Sequence, residues 1–187
     1  MRYFAPILPF LIAWALSFVT QAKIRTVAIL PPDSLPCMTN PQARQFDFWI
    51  GHWDVYVTGT KKHAGSSHVE MAAGGCAILE HWTSIANAPY TGNSINFIDP
   101  ATKKWKQVWI GSEGINVSEF LHGEYRDDAM RFEFATTDTS GKKTLTHFYL
   151  FNETLDQVRQ LHEISKDDGK TWTATYDFTY RRRKTKQ

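Results

Sequence analysis

Thr91-Gly-Asn-Ser-Ile-Asn-Phe-Ile-Asp-Pro-Ala-Thr-Lys-Lys-Trp-Lys-Gln-Val-Trp-Ile110 decides the fold class. Two runs rich in aromatic and β-branched residues, Thr91 to Ile98 and Trp105 to Ile110, flank a link that contains Asp99 and Pro100. Side chains alternate across a strand, so Ser94 and Asn96 share one face of the first run, and Trp105, Gln107 and Trp109 share one face of the second. The link is too short to hold a crossover helix. The two runs are therefore antiparallel neighbours.

The same signature recurs along the chain about every ten to twelve residues, with Gly, Asp or Asn clusters between the runs. The candidate strands are Phe46 to Thr58, Ser66 to Ala73, Ala77 to Ile85, Thr91 to Ile98, Trp105 to Ile110, Val117 to Tyr125, Met130 to Thr136, Lys143 to Asn152, Gln157 to Ser165 and Trp172 to Arg181. No stretch keeps a helical apolar period long enough for a globular helix. The expectation is an all-β, antiparallel up-and-down barrel of about ten strands; a sandwich is the alternative, and closure has the advantage of removing exposed edges. No internal repeat suggests a propeller.

At the N-terminus, Arg2 precedes an almost unbroken apolar stretch from Phe4 to Val19, followed by Thr20-Gln21-Ala22 with small residues at both recognition positions of a signal peptidase. The stretch is shorter than the roughly 20 residues of a spanning helix and contains Pro6 and Pro9. It reads as a signal peptide, residues 1–22, leaving no stable membrane insertion after cleavage and placing the product in the periplasm or outside the cell. Residues 23–45, with Pro31, Pro32, Pro36 and Pro41, read as an extended lead-in, 46–182 as the β-barrel domain and 183–187 as a basic tail.

The formal charge is +2, but Arg2 leaves with the signal and Arg181, Arg182, Arg183, Lys184 and Lys186 cluster at the C-terminus; without those six charges the body stands near −4. A nucleic-acid partner is not expected of such a body. Both cysteines, Cys37 and Cys76, fall in the exported part, where an oxidising compartment permits a disulfide; two free buried thiols are the alternative.

Motifs that carry chemistry are scarce. Ser165-Lys-Asp167-Asp168-Gly169-Lys-Thr171-Trp172 fits the Asp-box pattern and reads as a tight hairpin turn, a structural device. Gly92-Asn-Ser94-Ile-Asn96 starts like a nucleophile elbow but lacks its final glycine and lies within a strand. His63 and His68 are five apart, and the other five histidines are scattered over separate strands without a zinc or phosphate motif. No metal is assigned. A metal centre would have to be assembled in space.

Alternation is more informative. One face of each run carries Glu80 and Trp82, Ser94 and Asn96, Gln107 and Trp109, or Gln160 and His162, while Tyr176, Phe178 and Tyr180 share a face near the end. Aromatic walls holding a few orienting polar groups suit a ligand cavity; outward faces with half-covered aromatics are the bland alternative. The candidate ligand-binding residues are Glu80, Trp82, Asn96, Gln107, Trp109, Gln160 and His162.

Phe46-Asp-Phe-Trp-Ile-Gly51-His-Trp53-Asp-Val-Tyr56 resembles the opening strand of a family of exported, mostly bacterial proteins of unknown function with a lipocalin-like, calycin-type β-barrel. The likeness continues through Gly75-Cys-Ala-Ile-Leu-Glu80-His-Trp82, Gly92 to Asp99, Lys104 to Trp109, Val158-Arg-Gln160-Leu, Asp168-Gly169-Lys-Thr-Trp172 and Tyr180-Arg181-Arg182. In lipocalins a first-strand G-x-W tryptophan closes the barrel floor and stacks under a late arginine. The resemblance gives these structural roles to Gly51 and Trp53, with Arg181 or Arg182 placed to supply the cation and Arg181 the assignment. The chain departs from the commoner pattern at His162, where tryptophan is expected, and at His52, where an acidic residue is more usual.

Three functions follow as expectations. The first is binding of a small-molecule ligand in the barrel. The second is an enzyme, hydrolase or isomerase, using Glu80 as general base or His162 as acid and base, the only catalytic candidates. The third is haem binding through His162, as in the similarly built nitrobindins; no cofactor is otherwise expected. Exposed aromatics leave room for a homodimer.

Overall fold

The computed structural model describes residues 35–85, 90–115 and 117–184. The stretch read as a signal peptide lies outside the described residues. Ten strands follow in chain order: β1 Gly51–Val57, β2 His63–Ala72, β3 Ala77–Ser84, β4 Thr91–Ile98, β5 Trp105–Gly111, β6 Val117–Arg126, β7 Ala129–Thr137, β8 Lys143–Thr154, β9 Gln157–Ser165 and β10 Thr173–Arg182. Each pairs antiparallel with its chain neighbour, and β1 pairs with β10, so the sheet closes as an up-and-down barrel. Trp53 stands opposite Arg182 in that closing pair. No helix among the described residues is long and apolar enough to cross a membrane.

The expected strand Phe46 to Thr58 is two elements. Asp47–Trp49 forms a 3-10 turn, and β1 begins only at Gly51. The aromatic run carries a strand-like composition, but Phe46 and Trp49 gain more by turning under the barrel, where both are fully buried. Burying a side chain of this size contributes about 2–3 kcal/mol. Phe46 stacks on Trp49 and meets Trp105 edge-on, and Trp49 meets Tyr180 edge-on. These rings close one end of the barrel.

The segment ahead of them is stapled to the same end. Cys37 and Cys76 form a disulfide, and Ala43 is the buried residue of a second 3-10 turn, Gln42–Arg44. Gln45 Oε1 accepts a hydrogen bond from Trp105 Nε1 at 3.1 Å. At the other end of the chain, Arg181 and Arg182 belong to β10, and Arg183 donates to Asp54 Oδ1 through Nε at 3.1 Å. These three charges belong with the barrel. The three last residues of the chain lie outside the described residues.

The Asp-box hairpin joins β9 to β10. Asp167 Oδ1 accepts from the Thr171 amide at 2.9 Å, Oδ2 accepts from the Thr171 hydroxyl at 2.6 Å, and Gly169 supplies φ +84°. These bonds hold the Asp167 carboxyl near a pKa of about 2. Trp172 stacks on His147 at 3.6 Å between centroids, clamping the turn to β8.

The floor lock resolves the choice between two arginines. The Arg182 guanidinium, not that of Arg181, lies 4.2 Å over the Trp53 ring; Arg181 lies over Tyr56 on the outer face. Alternation is the reason, because Arg182 shares its face of β10 with Tyr180, which is buried in the core. Arg182 also donates to three main-chain oxygens, of Leu155 at 2.9 Å, Ile50 at 2.8 Å and Phe48 at 3.5 Å. Gly51, at φ +145°, passes so close beneath the guanidinium that a Cβ there would collide with it.

Candidate functional site

Strand direction fixes where open space remains. Phe46, Trp49, Trp53 and Trp105 are buried in the core toward the closed end, whereas the half of the barrel toward the β3–β4 and β5–β6 connections holds a cavity of about 320 Å³. Its walls include Glu80, Trp82, Gln107, Trp109, Gln160 and His162, six of the seven residues singled out from alternation. Asn96 is fully buried but lies toward the closed end and is not a wall. Its Nδ2 donates to the Ile78 carbonyl and to Ser94 Oγ, both at 3.2 Å.

Tyr90, Ser118, Phe120, Tyr176, Phe178 and Tyr180 complete the walls. Phe120 follows from alternation along β6. Tyr176, Phe178 and Tyr180 were visible as a common face without a reason to prefer the inside. Tyr90 precedes its strand, so no periodicity could point to it; its hydroxyl accepts from Trp109 Nε1 at 3.1 Å.

The indoles of Trp82 and Trp109 reach the cavity because the strands beside them carry glycine. A Cβ on Gly65 would collide with Trp82, and one on Gly92 with Trp109. Trp82 in turn stacks on Phe178 at 5.9 Å, and Phe178 on Tyr176 at 5.3 Å. One side of the cavity is thus a continuous aromatic wall.

Glu80 forms the polar floor, 2% exposed. Ser67 donates to Oε1 at 2.9 Å, Ser94 to Oε2 at 3.3 Å, and the Tyr180 hydroxyl lies 3.1 Å from Oε1. Burial disfavours the charge more than these three hydrogen bonds favour it, and the carboxyl pKa rises to about 7. Gln107 Oε1, also buried, has no hydrogen-bond partner among the described residues.

His162 lies in the upper wall, stacked on Tyr176 at 5.1 Å and edge-on to Phe120. The Thr175 hydroxyl donates its only proton to the His162 carbonyl at 3.1 Å, so the close contact of Thr175 Oγ1 with Nδ1 requires Nδ1 to be the donor. Nε2 then carries the lone pair. Burial lowers the pKa of the ring, opposed in part by Glu163, which keeps the neutral form dominant at neutral pH.

On the outer surface, the structure assembles what sequence spacing did not show: ligand atoms of His68, Glu70 and His81 lie within 4.8 Å of one another. The register pairs His52 with His68 and His68 with His81 across three strands.

Among solved structures, a redesigned β barrel is similar to this chain, at 12% identity and a TM-score of 0.38, covering 75% of this chain and 96% of that one. No family model and no curated protein matches.

Proposed function

We propose that the chain is an exported barrel of lipocalin-like, calycin-type architecture that binds a small, largely apolar and planar molecule in the cavity above Glu80. The observation that carries this reading is the cavity itself: about 320 Å³ with aromatic walls and few polar groups. Ligand pockets run from roughly 300 Å³ upward and share that composition. Gln107 Oε1 asks for a donor, so the ligand carries an N–H or O–H at its buried end. Export is supported by the apolar N-terminus and by the Cys37–Cys76 bridge, and the architecture by Gly51, Trp53 and the stacked Arg182.

Native mass spectrometry on gently purified protein tests this. A retained small molecule, displaced in a Ser118→Trp variant that narrows the cavity, is the expected result. Protein that carries nothing and takes up nothing from a fragment library defeats the proposal. The bare Nε2 of His162 favours one second reading, since it suits an axial iron ligand and His162 would then hold haem. That reading requires a Soret band after haemin addition and its loss in His162→Ala.

A further inference from the structure

We propose a second site, on the outside of the barrel: a surface centre for a late first-row divalent cation, Zn²⁺ being the type case, with His68 and Glu70 of β2 and His81 of β3 as ligands.

The backbone sets the spacing. His68 and Glu70 are two apart on one strand and so project from the same face, and His81 stands directly opposite His68 in the ladder. Their ligand atoms fall within 4.8 Å of one another, a span one cation can bridge. Two imidazoles and a carboxylate leave a fourth tetrahedral position for water, a donor set that suits zinc, copper or nickel rather than magnesium or calcium.

The hydrogen bonds around His81 point the same way. Nδ1 lies 2.8 Å from Asn93 Oδ1, an acceptor, so Nδ1 carries a proton. In the neutral ring the lone pair is then on Nε2, which faces the Glu70 carboxylate at 3.0 Å. Two lone pairs opposed at that distance repel unless a positive centre joins them. A proton on Nε2 is one such centre; a metal ion accepting from Nε2, Glu70 and His68 is the other. Asn93 fixes the ring orientation, as partners of metal-bound histidines commonly do.

His52 serves as a support. Its ring lies parallel to that of His68, 4.1 Å between centroids and 2° between planes. Such a stack fixes the plane of the His68 ring. Unlike His68 and His81, His52 is a positioning residue.

The experiment is calorimetric titration of chelator-treated, full-length purified protein with ZnCl₂, with MgCl₂ as control, followed by Co²⁺ absorption in the visible. The expected result is one Zn²⁺ per chain, no Mg²⁺ heat, and affinity reduced at least about tenfold by His68→Ala, Glu70→Gln or His81→Ala. His63→Ala, outside the cluster, leaves it unchanged. These side chains are on the surface, and circular dichroism verifies that each variant folds. Absence of stoichiometric Zn²⁺ binding overturns the proposal and leaves a His81–Glu70 hydrogen bond. Binding that survives all three variants overturns it equally, by placing the ion elsewhere.

Discussion

The Tyr180 hydroxyl lies 3.1 Å from Glu80 Oε1 and 3.1 Å from Gln160 Oε1, joining strands β3, β9 and β10 across the barrel interior. One phenol carries one proton, and two acceptor oxygens face it. With Glu80 protonated, its carboxyl donates to the phenol oxygen and the phenol donates to Gln160. With Glu80 ionised, the phenol instead donates its hydrogen bond to the Glu80 carboxylate, and the Gln160 amide must turn to offer Nε2. The charge on Glu80 and the orientation of Gln160 are thus one event.

That event has a pH signature. The carboxyl titrates near 7 when folded and near 4.5 otherwise. A folded-state pKa raised above the unfolded value means that ionisation of this acid opposes folding. Its penalty is absent below about pH 4.5, grows between about 4.5 and 7, and is constant above, reaching about 3 kcal/mol. Urea denaturation of wild type and Glu80→Gln across this window should show the variant gaining relative stability as pH rises. A difference that stays flat with pH contradicts the shifted carboxyl.

Arg182→Ala removes the cation above Trp53 together with donors to Leu155, Ile50 and Phe48. A loss of about 2–4 kcal/mol is expected from the stacking and the hydrogen bonds combined. Arg182→Lys recovers little, because one ammonium cannot stack and serve three carbonyls. Arg181→Ala, on the outer face, should cost under about 1 kcal/mol; equal effects of the two alanines in chemical denaturation would refute the assignment of the lock.

Gly51→Ala meets two obstacles, a φ of +145° and the guanidinium of Arg182. The expected loss is about 2 kcal/mol or more. In the double variant with Arg182→Ala the collision disappears while the backbone strain stays. The two losses should therefore sum to more than the double variant loses, by about 1 kcal/mol in a thermodynamic cycle. Strict additivity would show that strain alone sets the requirement for glycine.

Replacing Cys37 and Cys76 by serine and alanine opens a loop with a sequence separation of 39. The chain-entropy account expects a loss of about 4 kcal/mol. The bridge ties the lead-in to the β2–β3 connection and joins no two strands, so the far-ultraviolet β signal should remain while the denaturation midpoint falls. A collapse of the β signal under native conditions would give the disulfide a larger part in the barrel.

Period-two patterning was enough to read most of the strands and to group Glu80 with Trp82, Gln107 with Trp109, and Gln160 with His162 on shared faces, but whether those faces turn inward or outward depends on how the sheet closes, which alternation does not carry. It failed at Phe46 to Trp49, where aromatic composition suits a strand but burial beneath the floor wins. Arg182 differs from Arg181 by one position, and register alone separates them. The outer histidine group spans His52, His68 and His81, whose spacings in sequence follow no motif; only the lateral alignment of three strands brings them together.

The pairing of Trp53 with Arg182 also imposes an order in time. Strand β1 is the first made and β10 the last, so the seam cannot form until nearly the whole chain is available. Until then the sheet has two unpaired edges, β1 and its most recent strand, each open to pairing with another molecule. Closing the ring brings together residues more than a hundred positions apart, and such distant contacts make folding slow. The final turn of β10, three side chains from Tyr180 to Arg182, acts as a latch: a chain truncated before it would retain most of its hydrophobic residues, lack its seal, and be prone to self-association.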